Sequence, residues 1–212
     1  GVLIAYFSMY LLWPVWENYP VTDFLEKAID ANQKYWQEVS KLYKTKSGID
    51  TEYKLSRKAA FLSNGNLHGA FQRMIEEPKS KRKNLSNLYA SVILNQTFLS
   101  AVAAFSAYIR GHQTTEASQD FEIISNRINQ NLKNAILKLK NQQLDTQKIE
   151  TTPAFKSLDQ KYLELNEIRN QEIESGKTYM HPDLRAKLQE GKIVLEQLKW
   201  LKSLSENIKG LN

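Results

Sequence analysis

Apolar residues in this chain recur in steps of three and four along six blocks, and the blocks are separated by Gly, Pro and short polar runs. That spacing places one apolar stripe on one face of a helix, and nowhere does the period-two alternation of a half-buried strand appear. The first block opens at Pro20 and Asp23, with Glu26 three residues on, and closes at Lys46-Ser47-Gly48. Asp50 is placed to cap a second helix that Pro78 stops. A third starts near Asn84 and ends at Arg110-Gly111; Thr114 or Thr115 is expected to cap a fourth that reaches about Asp145. Thr152-Pro153 opens a fifth helix to Glu174, and Pro182-Asp183 opens a sixth that runs almost to Asn212. Long helices with narrow seams and short turns pack against their chain neighbours at about 20°. The expected fold is all-α, an antiparallel up-and-down bundle of about six helices.

Composition agrees with long helices. The 212 residues include only 5 prolines and 8 glycines. There is no cysteine, which excludes disulfides, thiolate metal sites and a Cys nucleophile together. Three regions are expected: residues 1–19, a main bundle over 20–145, and a C-terminal helical hairpin over 146–212 packed on it. The Thr146 to Pro153 stretch is the boundary between the last two.

The first sixteen residues, GVLIAYFSMYLLWPVW, carry no charge. Trp13, Trp16 and Tyr19 stand at the end of this run, the residue types that favour the edge between hydrocarbon and water. A helix from Gly1 to Trp13 is about 20 Å long, shorter than a bilayer core of about 30 Å. Residues 1–19 are therefore expected to be the end of a transmembrane helix and its exit, with the chain starting partway through the span. The alternative is a partner-binding or oligomer-forming helix. A signal peptide fits poorly, since no basic region precedes the run and no small-residue cleavage site follows.

The net charge of +6 comes from 29 basic and 23 acidic residues, mostly interspersed as on a solvated helical surface. The exception is Lys79, Lys81, Arg82 and Lys83, four cations in five residues. They form either an exposed turn or a contact with anionic lipid headgroups, where each contributes about 1 kcal/mol. No aromatic platform or helix-turn-helix pattern accompanies them, so nucleic acid is not an expected partner. His68, His112 and His181 are isolated, and no nucleophile elbow, phosphate loop or dinucleotide fingerprint is present. No catalytic residue, metal ligand or cofactor is assigned.

Three amides interrupt the seams. Helix one reads Leu25, Ala28, Asn32, Tyr35, Val39, Leu42, and helix two reads Tyr53, Arg57, Ala60, Asn64, Leu67, Phe71. Helix three carries Asn95 in the same way. Asn32 and Asn64 lie equally far from a turn centred at Gly48, and Asn64 and Asn95 almost equally far from one at Ser80. Antiparallel packing then brings the three amides to one height, bonded to one another, to Arg57 or to water. Such a layer fixes register between helices, or holds a small polar or aromatic ligand.

Two stretches resemble a known family. The first is Leu11-Leu12-Trp13-Pro14-Val15-Trp16-Glu17. The second is Ala70-Phe71-Gln72-Arg73-Met74-Ile75-Glu76-Glu77-Pro78-Lys79-Ser80-Lys81, followed by Lys83-Asn84 and the apolar helix through Val92-Ile93-Leu94-Asn95. Together they resemble the C-terminal cytoplasmic domain of the fusaric acid resistance (FUSC) family of bacterial inner-membrane proteins, in its YccS-like branch. The match covers most of residues 1–110; residues 111–212 add no matching motif. The resemblance implies a cytoplasmic accessory domain, for assembly, gating or ligand sensing, of a protein described as an exporter of aromatic acids and related compounds. It implies membrane lipids and the transmembrane block of the same protein as partners, a homo-oligomer, and the bacterial inner membrane as location. It supplies no catalytic residue. The runner-up is a soluble helical interaction module with no transport role.

Overall fold

The computed structural model describes residues 21–46, 50–76, 85–115 and 117–211. Among these residues there are six α-helices and no strand: α1 Val21–Thr45, α2 Thr51–Glu76, α3 Leu85–Gly111, α4 Gln119–Leu139, α5 Thr152–Glu174 and α6 Pro182–Leu211. The expected membrane exit with Trp13, Trp16 and Tyr19, and the basic run of Lys79, Lys81, Arg82 and Lys83, lie outside the described residues.

Local chemistry sets the ends. Asp50 caps α2 by accepting the Tyr53 N–H at Oδ1, 2.8 Å away. At the end of α5, Gly176 takes φ +83° and the Lys177 N–H reaches back to the Glu172 carbonyl at 2.9 Å, a stop that favours glycine. The fourth helix is shorter than its periodicity suggests. It is capped by Ser118, whose Oγ accepts the Phe121 N–H, rather than by Thr114 or Thr115. It ends at Leu139, not near Asp145, because Asn141 enters the left-handed region (φ 54°) and the chain folds back along α4. There the Asn134 amide clasps Asp145, donating to its carbonyl at 2.9 Å and accepting its N–H at 2.8 Å. Gln130 holds the Gln147 carbonyl in the same way at 2.6 Å.

Three packed helix pairs run antiparallel, while α1 runs parallel to α3, where Asn32 meets Asn95 and Tyr43 meets Phe105. Along α1 and α2, Asn32 meets Asn64 while the later Tyr35 meets the earlier Tyr53. Along α1 and α4, Gln33 meets Asn129 while Ser40 meets Ser125. Along α5 and α6, Asp159 pairs with Lys199 while Tyr162 lies against Gly191. The core is continuous through all of them. Trp36, Phe105 and Phe121 are at most 1% exposed, and Tyr43 completes the aromatic cluster with its ring 4.8 Å from Phe121 and 5.8 Å from Phe105. Each such ring contributes roughly 1.5–3 kcal/mol by leaving water, and each favourable pair about 0.5–1.5 kcal/mol more. Leu198, Leu201 and Ile208 of α6 join the same core.

α3 is long and apolar enough to cross a membrane, and among the described residues no other helix is. Half of its most apolar window is buried in the bundle, and its inward face carries Asn95 and Ser106. Its buried face makes it one of the core helices of the bundle. α5 is the opposite case: of its residues only Ala154 is buried, while Leu158, Tyr162 and Leu165 are half-buried on its inner face.

Candidate functional site

The three seam asparagines meet in the interior. Asn32 Nδ2 donates to Asn95 Oδ1 at 2.9 Å, Asn95 Nδ2 donates to Asn64 Oδ1 at 2.8 Å, and Asn64 Nδ2 donates to Asn32 Oδ1 at 2.9 Å. The three amides thus form a closed ring, each both donor and acceptor. The second amide hydrogens go to backbone carbonyls, Asn32 to Asn95 at 3.0 Å and Asn64 to Ala60 at 2.8 Å. All three residues are at most 3% exposed. The ring ties α1, α2 and α3 together at one height, the placement expected of a polar layer between helices.

Arg57 does not reach this ring. It is exposed on α2, with its guanidinium 5.4 Å from the Phe61 ring centroid. It stands two helical turns from Asn64, about 10 Å along the axis. Its seam position faces the rim of the bundle, and a long charged side chain there turns out to water.

A second polar contact in the same three helices joins Tyr53 to Ser106, whose hydroxyls are 2.6 Å apart, with the Tyr35 hydroxyl 3.5 Å from that of Tyr53. Burial pushes the Tyr35 phenol up to about 12. On the surface, Glu38, Asp50 and Glu52 converge as a cluster that would suit a cation. Lys41 Nζ already occupies its centre, 3.5, 3.3 and 3.1 Å from the three carboxylates.

The most unusual polar group is Glu190 on α6, 5% exposed. Its Oε1 accepts the Tyr43 hydroxyl at 2.8 Å, the Thr115 N–H at 2.9 Å and the Thr115 hydroxyl at 3.0 Å. Its Oε2 shares the Thr115 N–H at 2.9 Å. Every group pointing at it is a neutral donor, the arrangement that suits an ionised carboxylate. Burial, and next the charge of Glu190, push the Tyr43 phenol well above its ordinary range. The Tyr108 phenol is raised by the same two causes. Glu190 therefore ties the α3–α4 connection to α1 and α6.

The sequence reading missed this site because Glu190 sits among other charged residues on what reads as a solvated face. One signal was present. Val194, Leu198, Leu201, Ser205 and Ile208 form the buried stripe of α6, and stepping back four residues from Val194 lands on Glu190. Leu188 and Gly191 of the same helix are only half-buried.

No protein-family model matches the chain, and no solved structure matches it. Among curated proteins, it is similar to the inner membrane protein YccS of Escherichia coli (strain K12), 25% identical over 108 residues. That alignment covers 51% of this chain and 15% of YccS, so the chain spans a small part of the relative's length. The similarity is thus a partial one, to a protein of the inner membrane.

Proposed function

We propose that this chain is a cytoplasmic helical domain of an inner-membrane protein, serving its assembly, gating or ligand sensing rather than catalysing a reaction. The observation that carries the proposal is the partial similarity to YccS, an inner membrane protein. The uncharged residues 1–16 support it, since a run of that kind needs an apolar surrounding. Transport of aromatic acids or related compounds by the whole protein follows from the family resemblance alone. Lys79, Lys81, Arg82 and Lys83 fit the inner-leaflet surface, and self-association is proposed on the same footing. A second reading, a helical interaction module, draws on Leu55, Leu62 and Tyr89, which are 55–60% exposed on α2 and α3.

Cell fractionation separates the two. The 212-residue chain is expected in the inner-membrane pellet, released by detergent and not by high salt. The chain lacking residues 1–19 is expected in the soluble fraction with its helical circular dichroism intact. A folded, soluble monomer from the intact chain overturns the membrane reading. Unfolding of the truncated chain moves the assignment to the interaction module.

A further inference from the structure

Between α4, α5 and α6 lies a cavity of about 280 Å³, just below the usual range for ligand pockets and so fit only for a small molecule. Phe121, Leu158, Tyr162, Leu165 and Val194 give it apolar and aromatic walls, and Glu190 is exposed to it. The walls on α5 are half-buried because they face this space instead of packed neighbours.

The charge inside the cavity is not balanced. Two lysines stand among its lining residues, but both are engaged: Lys161 Nζ is 2.8 Å from Asp120 and Lys187 Nζ is 2.8 Å from Asp183. Lys46 Nζ lies 4.0 Å from the Tyr43 ring centroid and 2.6 Å from Thr114 Oγ1, and so serves that ring and loop. Among the described residues Glu190 forms no ion pair and takes its hydrogen bonds from Tyr43 and Thr115. Among the described residues its Oε2 shares a single N–H, which leaves it room for a further donor. A carboxylate held in apolar surroundings without a counter-ion favours any ligand that brings one.

We propose that this cavity binds a small organic cation, a protonated amine carried on an aromatic or aliphatic body. The ammonium would meet Glu190 Oε2, the aromatic ring of Tyr162 would attract the same charge, and the body would fill the space between α5 and α6. A carboxylic acid of the same shape would bring a second negative charge beside Glu190 and be rejected. This inference rests on the cavity alone and does not depend on the membrane reading.

The test uses three probes of one shape: phenethylamine, its neutral counterpart 2-phenylethanol, and phenylacetate. Calorimetry and thermal unfolding of the intact chain are expected to show saturable binding of the amine. The alcohol is expected to bind at least about tenfold more weakly, the loss of one charged hydrogen bond, and the acid not at all. Glu190→Gln keeps an acceptor for Thr115 and is expected to remove the preference for the amine. Should that variant fail to fold, Gly191→Leu provides an independent check. A Cβ at Gly191 meets Tyr162 at an ordinary 3.6 Å, and the longer side chain fills the cavity while leaving Glu190 intact. It is expected to abolish amine binding. Equal binding of amine and alcohol, no binding of the amine, preference for the acid, or amine binding that survives Gly191→Leu each overturns the proposal.

Discussion

Asn95 Nδ2 lies 2.8 Å from Asn64 Oδ1, a contact across 31 residues of chain that closes a ring begun at Asn32. Each member of such a ring leaves two others unsatisfied when it is removed. Changing Asn32, Asn64 or Asn95 singly to Ala is expected to lower stability by about 1–3 kcal/mol for the orphaned amides. The triple variant is expected to lose clearly less than the three single losses added together, because the same partners are orphaned each time. Urea unfolding of the four variants measures this. Additive losses would mean that the three amides act separately.

The ring was legible in the sequence because two independent regularities agreed on it: a seam stepping by three and four, and near-equal distances from two turns. The helices were legible for a similar reason, since Gly176 and Asp50 mark boundaries by backbone chemistry that needs no distant partner. What local pattern could not show is whatever a distant residue decides. Thr115 looked like a cap, but its N–H and hydroxyl are taken by Glu190, 75 residues away, so the cap falls to Ser118. Asp145 reads as helix until Asn134 binds its backbone. Arg57 occupies a seam position, yet solvation of its charge outweighs burial there.

Tyr43 holds its proton more tightly in the fold than in the unfolded chain, because of burial and the adjacent Glu190. The neutral phenol is the form the fold favours, so its contribution is complete below the ordinary phenol value of about 10 and is lost as pH rises above it. Tyr43→Phe removes a hydrogen bond to a buried carboxylate and is expected to cost about 1.5–3 kcal/mol at neutral pH. The same variant is expected to lose stability less steeply than the parent above pH ~10. Chemical unfolding across the alkaline range reads both effects; parallel pH profiles would contradict the assignment.

Asp120 fastens α4 to α5 through Ser157 Oγ at 2.9 Å and Lys161 Nζ at 2.8 Å. Burial alone would raise its carboxyl, but these two hydrogen bonds and the lysine charge hold it below the usual carboxylate range. Its stabilisation is therefore present above the unfolded carboxylate value near ~4 and disappears as pH falls through the depressed folded value. Because Lys161 is exposed, the contribution is at most about 1 kcal/mol. Asp120→Asn is expected to be less stable than the parent at pH 6 and to converge with it in strong acid. Thermal unfolding from pH 6 downward tests this, and a gap that stays constant would remove Asp120 from the acid response.

Trp36 is fully buried, its ring 6.1 Å from Phe105 and 6.2 Å from Phe121, yet among the described residues its indole Nε1 finds no hydrogen-bond partner. Shape and polarity pull in opposite directions at this position. Removing the whole ring in Trp36→Ala opens a large hole at the centre of the aromatic cluster, with an expected cost of about 3–5 kcal/mol. Trp36→Phe also leaves a small void, on the order of 1 kcal/mol, but it deletes an unpaired donor whose burial costs about 1–3 kcal/mol. The two effects offset, so Trp36→Phe is expected to stay within about 1 kcal/mol of the parent, or to exceed it. Urea midpoints of the two variants decide the matter. A loss of more than about 2 kcal/mol in Trp36→Phe would show that packing of the larger ring outweighs the unmade hydrogen bond.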